Sequence, residues 1–588
     1  MAERKKQNLL TGAGVLAIAT VLVKLIGALY KIPLTNLITV EGYGYFTGAY
    51  AVYTPMYAIS MAGLPVAVAK LVSQSVQLGR IKDAQRIFTV ARRLFFCVGV
   101  FGTGVLMLIA IPYSNMVGSP QNYISILAVA PCVMFCCQMS SFRGYYEGLK
   151  NMTPTGVSQV IEAAVKLTFG LAATYVCFNS WLTNYRESAV DGVATVFGIE
   201  VANEAEALSA MYPYAAAVAI LGVTLGSFFG FIYLYIRYRT KGFGFTREEI
   251  VNSPEPEDKK TIRNRLIKIA APIALSSLIL NVSNMIDDFT IRTRLEYAIE
   301  NGAEIIKDMY EYSLTASQTL DSSIANYLYG THGSVLNIKN LIPTITLTLG
   351  ISAIPAISAA WAAHDKKGVK ITIESALRVT MLIAIPAGIG IAVLAEPILY
   401  MFYGSQEEII PIAAPLLRTY GCAIFLFAVA SPITNILQAL GRTDIPLKSV
   451  LIGSIIKITL NYILIGNASI NINGAPISTV ICYVVMVAIN LTSLLKITKI
   501  KINFVSILVK PLIAGLACGA TAYGSFALLS AVLPTLSQNL ITLVSICVGG
   551  GFYAIVLVLV KGIAKDDLDM IPKGEKIAKT LAKFNLLG

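Results

Sequence analysis

The chain has 588 residues, of which 56% are hydrophobic and only 13% charged. This composition excludes an ordinary soluble domain, in which about a quarter of residues are charged, and predicts a helical membrane protein with many spans. The net charge of +13 falls mainly in short loops between apolar stretches, so it predicts membrane topology and not a nucleic-acid partner. The nine cysteines form no CxxC pair, and neither a disulfide framework nor a metal site is predicted.

Fourteen apolar stretches are predicted to cross the membrane, because each supplies the roughly 20 residues that span about 30 Å of hydrocarbon. The first six are 9–37, 44–77, 84–112, 120–148, 155–178 and 210–236. The next six are 264–295, 334–361, 370–402, 409–439, 445–466 and 474–497, and the last two are 504–532 and 537–561. The predicted fold is an all-α polytopic membrane protein.

The connecting loops alternate in charge along this series. Residues 114–120 (SNMVGSP) and 466–474 (GNASINING) contain no basic residue, whereas the alternate loops are basic. By the positive-inside rule, the basic loops and both termini are predicted to be cytoplasmic. The basic residues assigned to these loops include Arg80, Lys82, Arg86, Arg143 and Lys150.

Two sequence matches at an offset of about 290 residues indicate an internal duplication. ISMAGLPVAVAK around Pro65 parallels TLGISAIPAISAA around Pro355. EGLKNMTPTG likewise parallels ALGRTDIPLK, and each leads into a span with one central lysine, Lys166 or Lys457. Because six spans is an even number, the two halves share one orientation and are predicted to be related by a pseudo-two-fold axis along the membrane normal.

The duplication and the span count predict the domain organisation. The predicted segments are an N-terminal lobe (1–236), a cytoplasmic linker (237–263), a C-terminal lobe (264–498), a pair of further helices (499–562) and a cytoplasmic tail (563–588).

Lysines inside the predicted spans point to an anionic cargo. Lys24 and Lys31 are seven residues, about two helical turns, apart and so share one helix face. A lysine at the centre of a span costs roughly 2.5 to 3.5 kcal/mol, so it faces a wet cavity or a partner. Together with Lys24 and Lys31, Lys339 is a first candidate for lining a cavity that binds a diphosphate. Lys166 and Lys457 are second candidates.

Two alternatives to this interpretation are open. Lys166 follows Glu162 by four residues on one helix, so the two side chains could simply neutralise each other. Lys31 could reach the outer surface along its own alkyl chain. Lys24 is too central in its span for that route.

The predicted seventh span carries a polar cluster of Asn281, Asn284, Asp287 and Asp288. These side chains could line the cavity or bind a coupling cation, Na⁺ or H⁺, through oxygen atoms. The alternative, which we favour for one pair, is an ion pair between Asp288 and Arg292, four residues apart.

Other features of the spans have simple structural interpretations. Pro65 and Pro355 are candidates for helix bending during gating. Tyrosines at the start of the second span could stack on sugars, but an aromatic belt at the membrane interface is the favoured interpretation. These tyrosines are Tyr43, Tyr45, Tyr50 and Tyr53.

Several stretches together resemble the stage V sporulation protein B and polysaccharide-biosynthesis family, within the multidrug/oligosaccharidyl-lipid/polysaccharide (MOP) flippase superfamily. They are KLIGALYKIPLTNLITVEGYG, AGLPVAVAKLVSQ, FRGYYEGLKNMTPTGVSQVIE and NLIPTITLTLGISAIPAIS. The chain is similar, more distantly, to lipid II flippases of the MurJ type. Those have an Arg-Asp pair where this chain has Tyr30 and Lys31, while Lys24 falls on another of their basic positions.

The resemblance implies fourteen helices in two lobes in a bacterial cytoplasmic membrane. It also implies an undecaprenyl-diphosphate-linked sugar, such as lipid II or a related cell-envelope precursor, as substrate, moved by alternating access from the inner to the outer leaflet. A monomeric transporter whose partners are the bilayer and its lipid substrate is expected. No cofactor is predicted, and the source of energy is left open.

An enzyme is not predicted, because the chain has only two histidines and no P-loop, HExxH or GxSxG motif. The alternative function is a cation-coupled multidrug exporter of the same fold, since a fold does not fix a function. An exporter of cationic drugs needs carboxylates at the centre of the membrane, whereas the first span carries lysines. A membrane scaffold without transport activity is a third, weaker hypothesis.

Overall fold

We describe the protein from a computed structural model that covers residues 9–189, 193–242, 244–346, 357, 360–361 and 363–564. Within these residues, eleven helices are long and apolar enough to cross a membrane. The predicted class, an all-α polytopic membrane protein, is confirmed. The chain forms two compact units: unit 1 comprises Met1–Glu296 and Gln318–Gly333, and unit 2 comprises Tyr297–Ser317 and Ser334–Gly588.

Unit 1 contains the helices of the first half of the chain. They are α1 (Leu9–Ala58), α2 (Leu64–Gln77), α3 (Ile81–Met116), α4 (Tyr123–Gly148), α5 (Thr153–Ser188), α6 (Glu204–Lys241), α7 (Arg247–Val251), and the parts of α8 (Lys259–Met309) and α10 (Ile324–Lys339) up to Glu296 and Gly333. A short antiparallel hairpin, β1 (Ala194–Val196) and β2 (Ile199–Val201), lies between α5 and α6.

Helix α1 is broken at Thr39, whose φ of 58° and ψ of 174° are not helical. A 50-residue helix would be about 75 Å long, far more than one bilayer crossing needs. The break therefore separates the predicted spans 9–37 and 44–77. A π-helical turn, Ile59–Gly63, then connects α1 to α2, and Pro65 lies in the first turn of α2.

Glycines allow the helices of unit 1 to pack closely, as is common between membrane helices. A Cβ added at Gly330 of α10 would collide with the carbonyl oxygen of Val40 in α1. A Cβ added at Gly226 of α6 would lie 2.5 Å from the carbonyl oxygen of Glu162 in α5. These contacts bring α1, α5, α6 and α10 together around the polar side chains described below.

Unit 2 contains the remaining helices. They are the end of α8, α9 (Glu311–Ala316), the end of α10, α11 (Lys366–Val393), α12 (Ala395–Tyr403), α13 (Ile410–Ala439), α14 (Asp444–Ile465), α15 (Gly474–Thr498), α16 (Lys510–Val532) and α17 (Gln538–Leu559). Ile373, Leu377, Ile433 and Leu494 are among the residues of its buried apolar core, which joins α11, α13 and α15.

The predicted spans 264–295 and 334–361 need separate mention. The first lies within α8. The second extends over residues 347–356, which are outside the described residues, and Pro355 is among them. The predicted lobe boundary at 237–263 stays a prediction; the compact unit described here continues along α8 to Glu296.

Candidate substrate cavity

Unit 1 contains a cavity of about 300 Å³ between α1, α5 and α6. Lys24 and Lys166, which are 142 positions apart in the sequence, both line it. The Lys24 side chain is exposed in the open cavity, whereas the Lys166 side chain is half-buried. The other lining residues are Thr20, Val23, Ile26, Gly27, Tyr50, Tyr53, Thr54, Tyr57, Gln159, Glu162, Ala163 and Val223.

Lys166 is held by two tyrosines of α1. Its Nζ donates a hydrogen bond to the Tyr50 hydroxyl at 2.8 Å. The same ammonium lies 4.8 Å from the ring centroid of Tyr30 and 5.1 Å from that of Tyr50, within the range of cation–π attraction. Aromatic faces stabilise the charge without neutralising it, so the ammonium keeps its positive charge for an anionic ligand.

Lys31 lies near the same tyrosine. Its Nζ is 6.0 Å from the Tyr50 ring centroid, so the ammonium groups of Lys31 and Lys166 are at most 11.1 Å apart. Of the five predicted lysines, the structure thus places Lys24 and Lys166 in one cavity and Lys31 close to its wall.

Glu162 is bound to groups other than Lys166. Its Oε2 accepts a hydrogen bond from Arg143 Nη2 at 3.1 Å, and its Oε1 accepts one from the Ser227 hydroxyl at 3.2 Å. Among the described residues, the ion pairs include Arg143–Glu162 but not Lys166–Glu162. Local neutralisation of Lys166, the alternative considered from the sequence, is not the arrangement found.

Arg143 was assigned to a cytoplasmic loop from the sequence, and that assignment is wrong. It lies within α4, only 2% exposed, where its Nε also donates to the Ser158 hydroxyl at 3.0 Å. A partner carboxylate on the adjacent helix makes this burial possible, because a buried charge must be paired. The charge of the loops does not predict this ion pair, because Arg143 and Glu162 are 19 positions apart on different helices.

An aromatic ladder along α1 forms one wall of the cavity. Successive ring centroids from Phe46 to Tyr57 are 5.0 to 5.8 Å apart. Tyr43 and Tyr53 are 0% and 3% exposed. The predicted aromatic belt at the membrane interface is therefore wrong for these side chains, which are buried inside unit 1.

Lys339, in unit 2, is surrounded by aromatic rings. Its Nζ lies 4.3 Å from the ring centroid of Phe427, 5.0 Å from that of Tyr420 and 5.8 Å from that of Tyr483. It lines a separate cavity of about 220 Å³ in unit 2. Lys457 is half-buried on α14, at the same distance from its helix start as Lys166 is on α5.

The polar residues predicted in the seventh span lie on α8. Asn284 is exposed, Asp287 is buried, and Asn281 donates to the carbonyl of Ser277 at 2.9 Å. Within the described residues, no group of three His, Cys, Asp or Glu side chains is placed to hold a metal ion.

Tyr329 of α10 connects Asp288 and Arg292. Its hydroxyl donates to Asp288 Oδ1 at 3.3 Å, and the Arg292 guanidinium lies 3.8 Å from its ring centroid. Arg292 is 4% exposed and also donates to the Gly44 carbonyl at 2.5 Å. The favoured direct ion pair between Asp288 and Arg292 is not among the ion pairs of the described residues; Tyr329 lies between the two side chains and contacts both.

Comparison with known proteins gives two family matches. The family model described as "Polysaccharide biosynthesis protein" matches residues 9–183, and the model described as "MatE" matches residues 315–463. Each covers less than half of the chain.

Two Bacillus subtilis proteins are similar over most of the chain. Stage V sporulation protein B is 24% identical over 96% of this chain and 98% of its own length. Lipid II flippase MurJ is 25% identical over 81% of this chain and 80% of its own length. A solved structure of lipid II flippase MurJ, in an inward closed conformation, covers 92% of this chain and 98% of its own, with a TM-score of 0.63 at 14% identity. The resemblance predicted from the sequence is confirmed, and the fold is that of the solved lipid II flippase structure.

Proposed function

We propose that this multi-pass membrane protein, similar to stage V sporulation protein B and to lipid II flippases, is a flippase for a lipid-linked sugar diphosphate. The observation that carries the proposal is the cavity of unit 1, which gathers Lys24 and Lys166 with Lys31 at its wall. The name of one relative, lipid II flippase MurJ, supports transport and not enzymatic catalysis.

The charge balance of the cavity favours an anion. Glu162 is already paired with Arg143, so the positive charges of Lys24, Lys31 and Lys166 are left in excess. In surroundings of low dielectric constant, such charges attract a diphosphate more strongly than they would in water. Binding of the diphosphate would in turn offset the cost of keeping lysines within the membrane.

The size of the cavity suits a charged headgroup. Its volume of about 300 Å³ lies at the lower end of the range for small-molecule sites, roughly 300 to 1,000 Å³. A diphosphate with its first sugar would enter, while the polyprenyl tail stays in the bilayer. The ladder of Tyr50, Tyr53 and Tyr57 offers flat, polar-tipped faces on which a sugar ring can stack.

The substrate is an undecaprenyl-diphosphate sugar, such as lipid II or a related envelope precursor, moved outward by alternating access. The protein acts as a monomer in the bacterial cytoplasmic membrane with both termini in the cytoplasm. Lys339 and Lys457 are proposed as further cationic contacts for the substrate, and Pro65 and Pro355 as bending points.

A cation-coupled multidrug exporter is the second candidate function. Two observations favour it: Glu162 places a carboxylate at the cavity, and residues 315–463 match the MatE family. The ion pair with Arg143 weighs against it, because a cationic drug would have to displace a buried guanidinium from this carboxylate. A coupling cation, Na⁺ or H⁺, would then be required.

Native mass spectrometry of the full chain with lipid II, other undecaprenyl-linked sugars and a cationic amphiphile tests the proposal. We expect selective binding of the diphosphate lipids, weakened about tenfold by Lys24→Leu and by Lys166→Leu, because each change removes one charged contact. Lys70→Leu is the matched control, since this exposed lysine of α2 does not line the cavity. Binding of the cationic amphiphile alone would overturn the flippase proposal and support the exporter.

A further inference from the structure

A second basic cavity, of about 410 Å³, lies at the start of α3, outside the proposed substrate cavity. Four cationic residues line it: Lys82, Arg86, Arg93 and Lys259. Its only acidic lining residue is Glu255, which pairs with Lys82 at 3.1 Å although its own side chain is 91% exposed. Four cationic side chains against one carboxylate leave the lining of the cavity with a net positive charge.

The cationic residues of α3 share one face. Positions 82, 86, 89 and 93, all lining the cavity, follow the spacing of 4, 3 and 4 residues that repeats on one side of a helix. Lys82 also lies in the first turn of α3, where the positive end of the helix dipole disfavours a cation. A bound anion would relieve this repulsion.

The wall of the cavity is fixed by hydrogen bonds from the segment before α8. The Lys82 backbone N–H donates to the Ser253 hydroxyl at 3.1 Å, and the Glu257 N–H donates to the buried carboxylate of Asp83 at 2.6 Å. Arg86 Nη1 donates to the carbonyl oxygens of Pro256 and Glu257 at 3.3 and 3.1 Å. The cavity is therefore formed before any ligand arrives, which lowers the entropic cost of binding.

Two of the cationic side chains are available to a ligand. Arg93 and Lys259 are exposed, and within the part of the chain that the structure describes neither side chain makes an ion pair or hydrogen bond.

The same face of α3 continues as an apolar ladder. Phe96, Val100, Met107 and Ile111 are 44% to 55% exposed and follow Arg93 at helical spacing. At Gly104, between them, an added Cβ would meet no atom within 4 Å, so the ladder contains an open notch. A cationic cluster at one end of a membrane helix, with an exposed apolar strip above it, complements a molecule with a charged head and acyl chains.

The geometry points to a binding site for an anionic phospholipid of the surrounding bilayer, with its phosphate between Arg93, Lys259 and Arg86 and its acyl chains along the ladder of α3. The site is separate from the substrate cavity and does not depend on the identity of the transported lipid. A phospholipid bound here would stabilise the packing of the segment around Ser253 and Pro256 against the start of α3.

The test uses the full chain, purified and delipidated in neutral detergent. Phosphatidylglycerol, phosphatidylcholine and inorganic phosphate are added in turn, and bound lipid is counted by native mass spectrometry while thermal unfolding is followed in parallel. The wild type is expected to retain phosphatidylglycerol, to unfold at a higher temperature with it, and to respond to neither phosphatidylcholine nor phosphate.

The double variant Arg93→Gln/Lys259→Gln is expected to bind phosphatidylglycerol about tenfold to thirtyfold more weakly, because two phosphate contacts are lost. Its unfolding temperature without lipid should equal that of the wild type, since both side chains are exposed. The matched control Lys241→Gln/Lys260→Gln removes two exposed charges that do not line the cavity and should bind as the wild type does.

Four results would overturn the proposal. Three of them are equal binding of phosphatidylglycerol by the double variant and its control, equal binding of phosphatidylcholine by the wild type, and a raised unfolding temperature with inorganic phosphate alone. Displacement of phosphatidylglycerol from this site by an undecaprenyl-diphosphate sugar at equal concentration would also overturn it, because the cavity would then serve the substrate.

Discussion

Breaking the buried ion pair between Arg143 and Glu162 should destabilise unit 1. The pair has an N–O distance of 3.1 Å, and the arginine side chain is 2% exposed. At an effective dielectric constant of about 20, this distance corresponds to a gross attraction of roughly 5 kcal/mol. Loss of one partner of a buried pair costs about 3 to 5 kcal/mol, mainly because the other charge is left uncompensated. Since Glu162 is 20% exposed, Arg143→Met should cost about 3 kcal/mol.

The double variant Arg143→Met/Glu162→Gln should recover most of that loss, because no unpaired charge remains. The free energy of unfolding would be measured in detergent for the wild type, both single variants and the double variant. Arg186→Met is the control: its ion pair with Glu204 has both side chains about half exposed and should contribute no more than about 1 kcal/mol. If Arg143→Met costs no more than this control, or if the double variant is no more stable than Arg143→Met, the reasoning is refuted.

Three further predictions concern the helix contacts and the lysines. Gly330→Leu should prevent α10 from packing on α1, because even a Cβ at this position collides with the Val40 carbonyl oxygen. Size-exclusion chromatography should then show a loss of folded protein, and a normal yield would contradict the prediction. Tyr50→Phe keeps the ring over Lys166 but removes the hydrogen bond that the charged lysine donates to the hydroxyl. The free energy of unfolding should therefore fall by about 1.5 to 3 kcal/mol, and an unchanged value would disprove the contact. Lys339→Leu should lower flipping of a fluorescent lipid-linked sugar in proteoliposomes, because it removes a charged contact to the substrate; undiminished flipping would remove Lys339 from the proposed site.

The sequence predicted those features that depend on local patterns. Apolar stretches of sufficient length predicted most of the membrane helices, because the bilayer imposes a fixed thickness on each of them. The seven-residue spacing of Lys24 and Lys31 placed both on one face of one helix, and both prove to lie at or beside the cavity of unit 1.

Features that depend on packing between distant segments were not predictable from such patterns. The approach of Lys166 to Tyr30 and Tyr50 joins α5 to α1, and no spacing within one helix encodes it. The tyrosines of α1 were interpreted as an interfacial belt because an aromatic residue near a span end is usually found there, whereas close packing of neighbouring helices buries them. Arg143 was misplaced for a similar reason: its partner carboxylate belongs to the next helix.

The π-helical turn at Ile59–Gly63 changes the effect of Pro65 on the helix. Proline has no N–H to donate and usually interrupts a helix at a cost of about 3 kcal/mol, but Pro65 lies in the first turn of α2, where the missing donor is not needed. A change of angle at this joint would therefore break few backbone hydrogen bonds. Close helix packing opposes such a change of angle. A Cβ added at Gly63 would lie 2.6 Å from the carbonyl oxygen of Ala270, and one added at Gly144 would lie 2.5 Å from that of Pro65. Two residues that lack side chains thus limit the geometry of the joint, and we expect a substitution at Gly63 or Gly144 to disturb it more than substitution of the proline.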